Sequence, residues 1–507
     1  MANPGKVLGT LLAVLAAVTG LAATYGGLMF AKHEMDMLHL IDIVLRRVDG
    51  QLPHFDFMTP LGIWAFEPFV MLHWAGLELG AALVWGQVMV AALLLLPVWW
   101  VGISRMNTGL AIAFGVIVLL LAVAMVHGET DVKPSLSMHY NRWAWAVAFL
   151  PLALVALPAR RDNPVLDGLV IGAAMAVLAL LKVTYFAAFA PAVVLGLVLR
   201  GQMRALGIAV VAGLVIAGAM TLAYGFGFWG AYLGDLLTVA GSEVRPSPGA
   251  GWARVALSPD YAAGTLLAVA SVLLLRTRAK ADPVGIILFV MLPGAIYVTF
   301  QNYGNDPYWL LLWGIVLLAQ PRGEEVGWST QAVGGLLALA LIAPVALNVF
   351  YSPVRQATLP ASVFIPVFPG QAGREDVLAV EARVEREQVR MPAYGTEGDC
   401  ELSGGAIGWM RGLVDEVDAG GFAGEKVFVA DIFNAFWLFG AYAPLKGGAP
   451  WYYDGLPGFD EASIVVVPRC PTDAEANARI VEMIAAQGVQ MVPAHEGERM
   501  VVYRLAR

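Results

Sequence analysis

Apolar stretches close to the roughly 20 residues that a helix needs to cross hydrocarbon recur from Val7 to Phe350 and then stop. A backbone in lipid must satisfy every N–H and C=O internally, so segments of this length are expected as helices. Eleven are expected: Val7–Ala31, Gly80–Ile103, Thr108–Val126, Trp143–Leu157, Val165–Thr184, Phe186–Leu199, Leu206–Phe228, Tyr261–Leu275, Val284–Phe300, Pro307–Ala319 and Gln331–Phe350. With 59% hydrophobic and 14% charged residues in 507, the chain has far more apolar side chains than a soluble core needs. It reads as an all-α polytopic membrane protein over residues 1–350, followed by a polar region over 351–507. The first stretch lacks a small-residue cleavage site and is too long for a removed signal, so it is expected to be retained.

Short basic loops favour the cytoplasm. With Lys6 inside, Arg105, Arg160, Arg161, Arg200, Arg204, Arg276, Arg278, Lys280 and Arg322 all fall inside too, provided that Pro60–Trp74 lies in the outer interface rather than spanning. An odd number of spans then puts residues 351–507 outside the cytoplasm, in a bacterial chain beyond the inner membrane. Both cysteines, Cys400 and Cys470, lie there, which suits a disulfide in an oxidising compartment. The tail reads as a small extracytoplasmic α/β domain, with strands at KVFVAD (Lys426–Asp431), SIVVVP (Ser463–Pro468) and Met500–Leu505 and a helix at Asp473–Gln487. The net charge of −8 tracks this tail and argues against nucleic acid as a partner.

On this threading the polar chemistry gathers on one outer face. The first outer loop carries Asp36, His39, Arg46, Arg47, His54 and Asp56; the next carries Lys133, Tyr140, Asn141 and Arg142; Lys182, and later Asn302, Asn305 and Asp306, follow. Ionisable groups at the ends of membrane helices are functional candidates, because desolvating them is costly. Arg46, Arg47, Lys133, Arg142 and Lys182 also run against the positive-inside bias, and an anionic ligand at the outer surface would explain them.

The long loop after the first helix, an acidic residue just past that helix, and the phrase formed by Gly50, Pro53, Asp56, Phe57, Pro60 and Gly62 resemble the polyprenyl-phosphate-dependent glycosyltransferases of the GT-C superfamily. The resemblance extends over the whole chain in layout: about eleven helices, a first outer loop with interfacial helices, and an extracytoplasmic C-terminal domain. It implies transfer of a sugar from a polyprenyl-phosphate donor to an envelope glycan, lipid or protein, usually with inversion. Such a reaction needs a carboxylate to take the acceptor proton and cations to stabilise the leaving phosphate. By position Asp36 matches the superfamily's first-loop acid, and Asp56, inside the phrase, is its rival. Lys182 and Arg142, with Arg46 and Arg47 behind them, are the expected phosphate ligands, and Tyr140, Asn141, Asn302 and Asn305 the expected partners of sugar hydroxyls.

Each residue also has a structural reading. Asp36 can be a solvated helix end and Asp56 a helix cap; Lys182 can snorkel to the headgroups; Arg46 and Arg47 can touch anionic membrane lipids; and QNYGNDP suits a turn. His33, Asp36 and His39 are spaced i, i+3, i+6, but no D-x-D phrase stands in the loop; no metal or other cofactor is expected, with a divalent cation as the alternative. A transporter or lipid flippase would predict midplane charges and repeated halves, which the sequence does not display. An O-antigen ligase or polysaccharide polymerase would draw on a late outer loop, for which Trp229–Asp260 is available. A scaffold that only displays the tail would leave the acid and base cluster without a role.

Overall fold

The computed structural model describes residues 1–126, 133–244, 253, 257–278, 282–301, 306–320, 329–380, 390–392, 399–401 and 404–506. In chain order the first half comprises α1 (Pro4–Ala22), strand β1 (Leu28–Phe30), α2 (Glu34–Val48), α3 (Glu67–Trp74), α4 (Leu79–Arg105), α5 (Thr108–Val123), α6 (His139–Ala156) and α7 (Pro164–Leu181). There follow α8 (Val183–Leu199), α9 (Met203–Tyr224), α10 (Gly227–Ala240), α11 (Pro259–Arg278), α12 (Val284–Gln301), α13 (Trp309–Ala319) and α14 (Thr330–Thr358). Every expected apolar stretch holds a helix. Among the described residues six of these helices, α1, α4, α7, α9, α12 and α14, are long and apolar enough to cross a membrane. Four shorter apolar helices lie at residues 108–123, 183–199, 261–277 and 309–319.

The helix starts follow local chemistry. Asn3, Asn107, Asn163 and Ser329 accept backbone N–H groups of α1, α5, α7 and α14, and Pro4 and Pro164 occupy first turns, where a missing N–H costs nothing. Three boundaries differ from expectation. The first helix stops at Ala22 rather than Ala31, because Gly26 and Gly27 let the chain turn and residues 28–30 become a strand. The last apolar helix runs past Phe350 to Thr358; Tyr25 Oη donates to Pro353 O (2.6 Å) and Met125 N to Ser352 Oγ (2.7 Å), holding this extension against the rest. The start of the late loop, Trp229–Ala240, falls in helix α10.

At one end of the bundle arginines bind helix termini. Arg105 joins Asp167 (2.6 Å) and Leu154 O; Arg161 donates to Ala2 O (3.0 Å); Arg200 donates to Val155 O and Ala156 O and pairs with Asp282 (3.1 Å). Cations placed at the last carbonyls of a helix suit its dipole. The starts of α1 and α7 and the ends of α4, α6 and α8 therefore meet at this end. The first loop and the tail occupy the other.

The tail holds β2 (Phe364–Pro366), β3 (Val377–Val380), β4 (Arg390–Pro392), β5 (Asp399–Glu401), α15 (Gly405–Ala419), β6 (Val427–Val429), β7 (Ile464–Pro468), α16 (Ala474–Ala486), β8 (Gln490–Glu496) and β9 (Met500–Ala506). One sheet runs β6-β7-β9-β8, with β6 parallel to β7 and the other pairs antiparallel. Its central strand β7 is almost wholly buried, which is why SIVVVP reads as a continuous apolar run. Asp431, just past β6, accepts from Ile432 N, Thr472 N, Thr472 Oγ1 and Asp473 N at 2.7–3.2 Å, tying the sheet to the start of α16. Cys470 is disulfide-bonded, and Cys400 is the chain's other cysteine.

A second sheet joins the two regions. β1 of the first loop pairs in parallel with β3 of the tail, which pairs antiparallel with β2. Beside it, the Asp376 carboxylate caps α4 by accepting from Gly80 N (2.8 Å) and Ala81 N (2.6 Å), while Asp376 O accepts from Leu28 N (2.9 Å). A Cβ at Gly80 would lie 2.3 Å from Asp376 O, so only glycine permits this approach. Asp376→Ala leaves the two N–H groups at the start of α4 unpaired and is expected to lose about 1–2 kcal/mol. Thermal unfolding and limited proteolysis in detergent check it: Tm falls, cleavage near residues 359–380 accelerates, and Asp376→Asn, which keeps one acceptor, lies between.

Candidate active site

A cavity of about 210 Å³ opens where the first loop, the ends of α6, α7 and α12, helix α10 and the tail meet. Asp36 stands in the first turn of α2 and lines it. Ser137 Oγ donates to Asp36 Oδ2, and Arg142, buried in the first turn of α6, holds that serine from behind by donating to Ser137 O (3.1 Å) and Ala124 O (3.3 Å). Arg142 thus orients the partner of Asp36 and does not line the cavity.

Lys182 lines the same cavity. It occupies a one-residue extended break (φ −154°, ψ 100°) between α7 and α8. Gly62 closes this corner: its N–H donates to Leu181 O (3.1 Å), and a Cβ there would lie 2.1 Å from Leu180 O. The Lys182 ammonium donates to Asn141 Oδ1 (2.8 Å) and lies 4.9 Å from the Tyr140 ring centroid, a cation–π arrangement. Tyr140 lines the cavity, as do Tyr297 and Gln301 of α12. Asn141 is buried and fixes the lysine.

Of the remaining expected residues, Arg46 and Asp56 reach the tail, and Arg47 is held within the first loop. Arg46 is buried, pairs with Asp42 (2.5 Å), donates to Leu445 O of the tail (2.9 Å) and lies over the Phe57 and Trp437 rings. Arg47 pairs with Glu67 (2.6 Å) and lies 4.8 Å over the Trp74 ring. Asp56 Oδ2 accepts from Leu52 N (2.8 Å) within a turn, and Oδ1 faces Lys446 of the tail at 3.5 Å. None of these three lines the cavity. Asn302 and Asn305 lie outside the described residues.

One contribution escaped the sequence reading, and another comes from the late outer loop that it offered. Trp451 and Tyr453 of the tail roof the cavity. Helix α10 supplies Leu236, Val239 and Ala240 as a wall, positioned by Asp235, which accepts from Thr59 N (3.1 Å) and pairs with His54 Nδ1 (2.7 Å). His54 adopts a left-handed backbone (φ 70°) that aims its ring at Asp235, Phe228 and Tyr232. Lone aspartates in apolar helices are the signal that would have singled out Asp235.

The arrangement places a carboxylate with an adjacent hydroxyl and an ammonium on the lining of one water-accessible space. Asp235→Ala removes the acceptor for His54 and Thr59, so α10 is expected to open more often. A thiol introduced by Val239→Cys should then react about fivefold faster with a membrane-impermeant maleimide, as a loss of about 1 kcal/mol would give; equal rates would mean that α10 is held by other contacts. No family model, curated protein or solved structure matches this chain.

Proposed function

We propose that this cavity is the active site of an integral membrane glycosyltransferase of the GT-C type, which moves a sugar from a polyprenyl-phosphate donor to an envelope acceptor. One observation carries the reading: Asp36 and Lys182, from segments far apart in sequence, line the same cavity. In the reaction Asp36 takes the proton of the acceptor hydroxyl or amine as its oxygen or nitrogen attacks the anomeric carbon. The bond from that carbon to the phosphate oxygen breaks on the opposite face, giving inversion, and the lipid phosphate leaves with the electron pair against Lys182. Ser137 orients Asp36, Arg142 orients Ser137, and Tyr140 and Asn141 set the lysine.

In this reading all eleven apolar segments cross the membrane, the N-terminus is cytoplasmic and the tail extracytoplasmic. The gathering of Arg105, Arg161 and Arg200 at one end of the bundle supports that orientation. A disulfide-bonded Cys470 in the tail supports an oxidising compartment. Arg46, Arg47 and Asp56 are left out of the chemistry because each is engaged elsewhere. A ligase or polymerase acting on a lipid-linked glycan is a second reading, favoured by the place of α10, part of the late loop, in the cavity wall.

Mass spectrometry of lipids bound to the purified protein tests the donor class. A polyprenyl phosphate or its glycosylated form is expected with the wild type and lost in Lys182→Ala; bulk phospholipid alone would refute the donor assignment. Asp36→Asn is expected to keep the lipid while transfer falls by about 10²–10⁴-fold, and an active Asn variant would remove Asp36 from the role of base.

A further inference from the structure

The membrane part does not complete the cavity: its roof comes from the tail stretch WYYDG, residues 451–455. That stretch is fastened from several sides. Tyr452 N donates to Ile432 O (2.7 Å), and Trp451 forms an antiparallel bridge with Phe433. Ser242 Oγ, just past α10, donates to Tyr453 O (2.6 Å), and Arg479 of α16 bridges Asp454 (3.1 Å) and Glu243 (2.6 Å). Roof and α10 wall are thereby joined to one another. The Trp451 ring meets His39 edge-on at 5.2 Å, and His39 follows Asp36 by one helical turn.

The cavity lining has two sets of side chains that differ in chemistry. Asp36 and Lys182 bring charge, whereas Trp451 and Tyr453 bring broad aromatic surface with an indole N–H and a phenol O–H. A ligand with an apolar C–H face and a rim of hydroxyls suits the second set, and a sugar ring is such a ligand. In an inverting displacement the acceptor approaches on the side of the base, opposite the leaving phosphate. Trp451 stands on the side of the base, because its ring meets His39 on the helix that carries Asp36, and Tyr453 lines the same cavity two residues on. We infer that Trp451 and Tyr453 form a carbohydrate-binding acceptor subsite, so that the tail selects the acceptor while the membrane part holds the donor. The inference rests on the glycosyl-transfer reading and adds that the acceptor is itself a saccharide.

Saturation-transfer NMR on the full-length protein in detergent tests it, with methyl pyranosides of glucose, mannose, galactose and N-acetylglucosamine and methyl arabinofuranoside as probes. At least one glycoside is expected to bind the wild type, to bind about tenfold more weakly to Trp451→Ala or Tyr453→Ala, and to be retained by Lys182→Ala. Trp451→Phe and Tyr453→Phe, which preserve ring packing, are expected to retain most binding and so separate a subsite from a fold defect. Undiminished binding to both alanine variants overturns the inference, as does binding of no glycoside by the wild type. Polyprenyl phosphate measured in the same samples keeps the two ideas apart. If the lipid is present without glycoside binding, only the acceptor subsite fails; if it is absent, the donor reading fails with it.

Discussion

Two backbone N–H groups at the start of α4 have no partner within their own helix, and the carboxylate that satisfies them, Asp376, comes from the tail. Much of the architecture depends on this loan. The same residue's carbonyl receives Leu28 N, which starts the β1–β3 pairing. The first loop repays the contact in kind: Glu34 Oε2 accepts from Ile407 N in the first turn of α15 (3.0 Å). Carboxylates at helix N-termini are favoured electrostatically, and here they work across the boundary between the two regions, so each completes a helix of the other.

Seating the tail in this way gives the cavity its shape. Once β1 and β3 are in register, Arg46 reaches Leu445 O and Met58 N reaches Gly448 O (2.9 Å), and the stretch after Gly448 brings Trp451 and Tyr453 to the cavity that Asp36 lines. Breaks in the helices do the rest. The extended Lys182 between α7 and α8 and the left-handed His33 before α2 (φ 59°) let polar side chains enter a space that continuous helices would have closed with apolar ones.

The helices were legible because lipid imposes a long apolar period, and β6, β7, β9 and α16 because buried strands and amphipathic helices have their own. Asp36, Tyr140 and Lys182 were legible as ionisable or polar groups at helix ends. Arg46 and Arg47, which the sequence offers as ligands for an anion, are paired with buried Asp42 and half-buried Glu67. The phrase from Gly50 to Gly62 behaves as a socket, with Phe57 bridging Gly448 and Gly62 packed on Leu180. Trp451 and Tyr453 carry no local sign of their role, since their partners His39 and Ser242 lie hundreds of positions earlier.

The pairing of Leu28–Phe30 with Val377–Ala379 has a consequence for how the protein is made. β1 emerges from the ribosome with the first apolar helix, yet its partner strand follows only after the last one has been synthesised. Until residues 377–379 have been made, Leu28–Phe30 lack their partner strand, and the cavity lacks Trp451 and Tyr453. Chains truncated before residue 377 would lack both β3 and the aromatic residues that line the cavity, so the cavity takes shape only once residues 377–453 are in place.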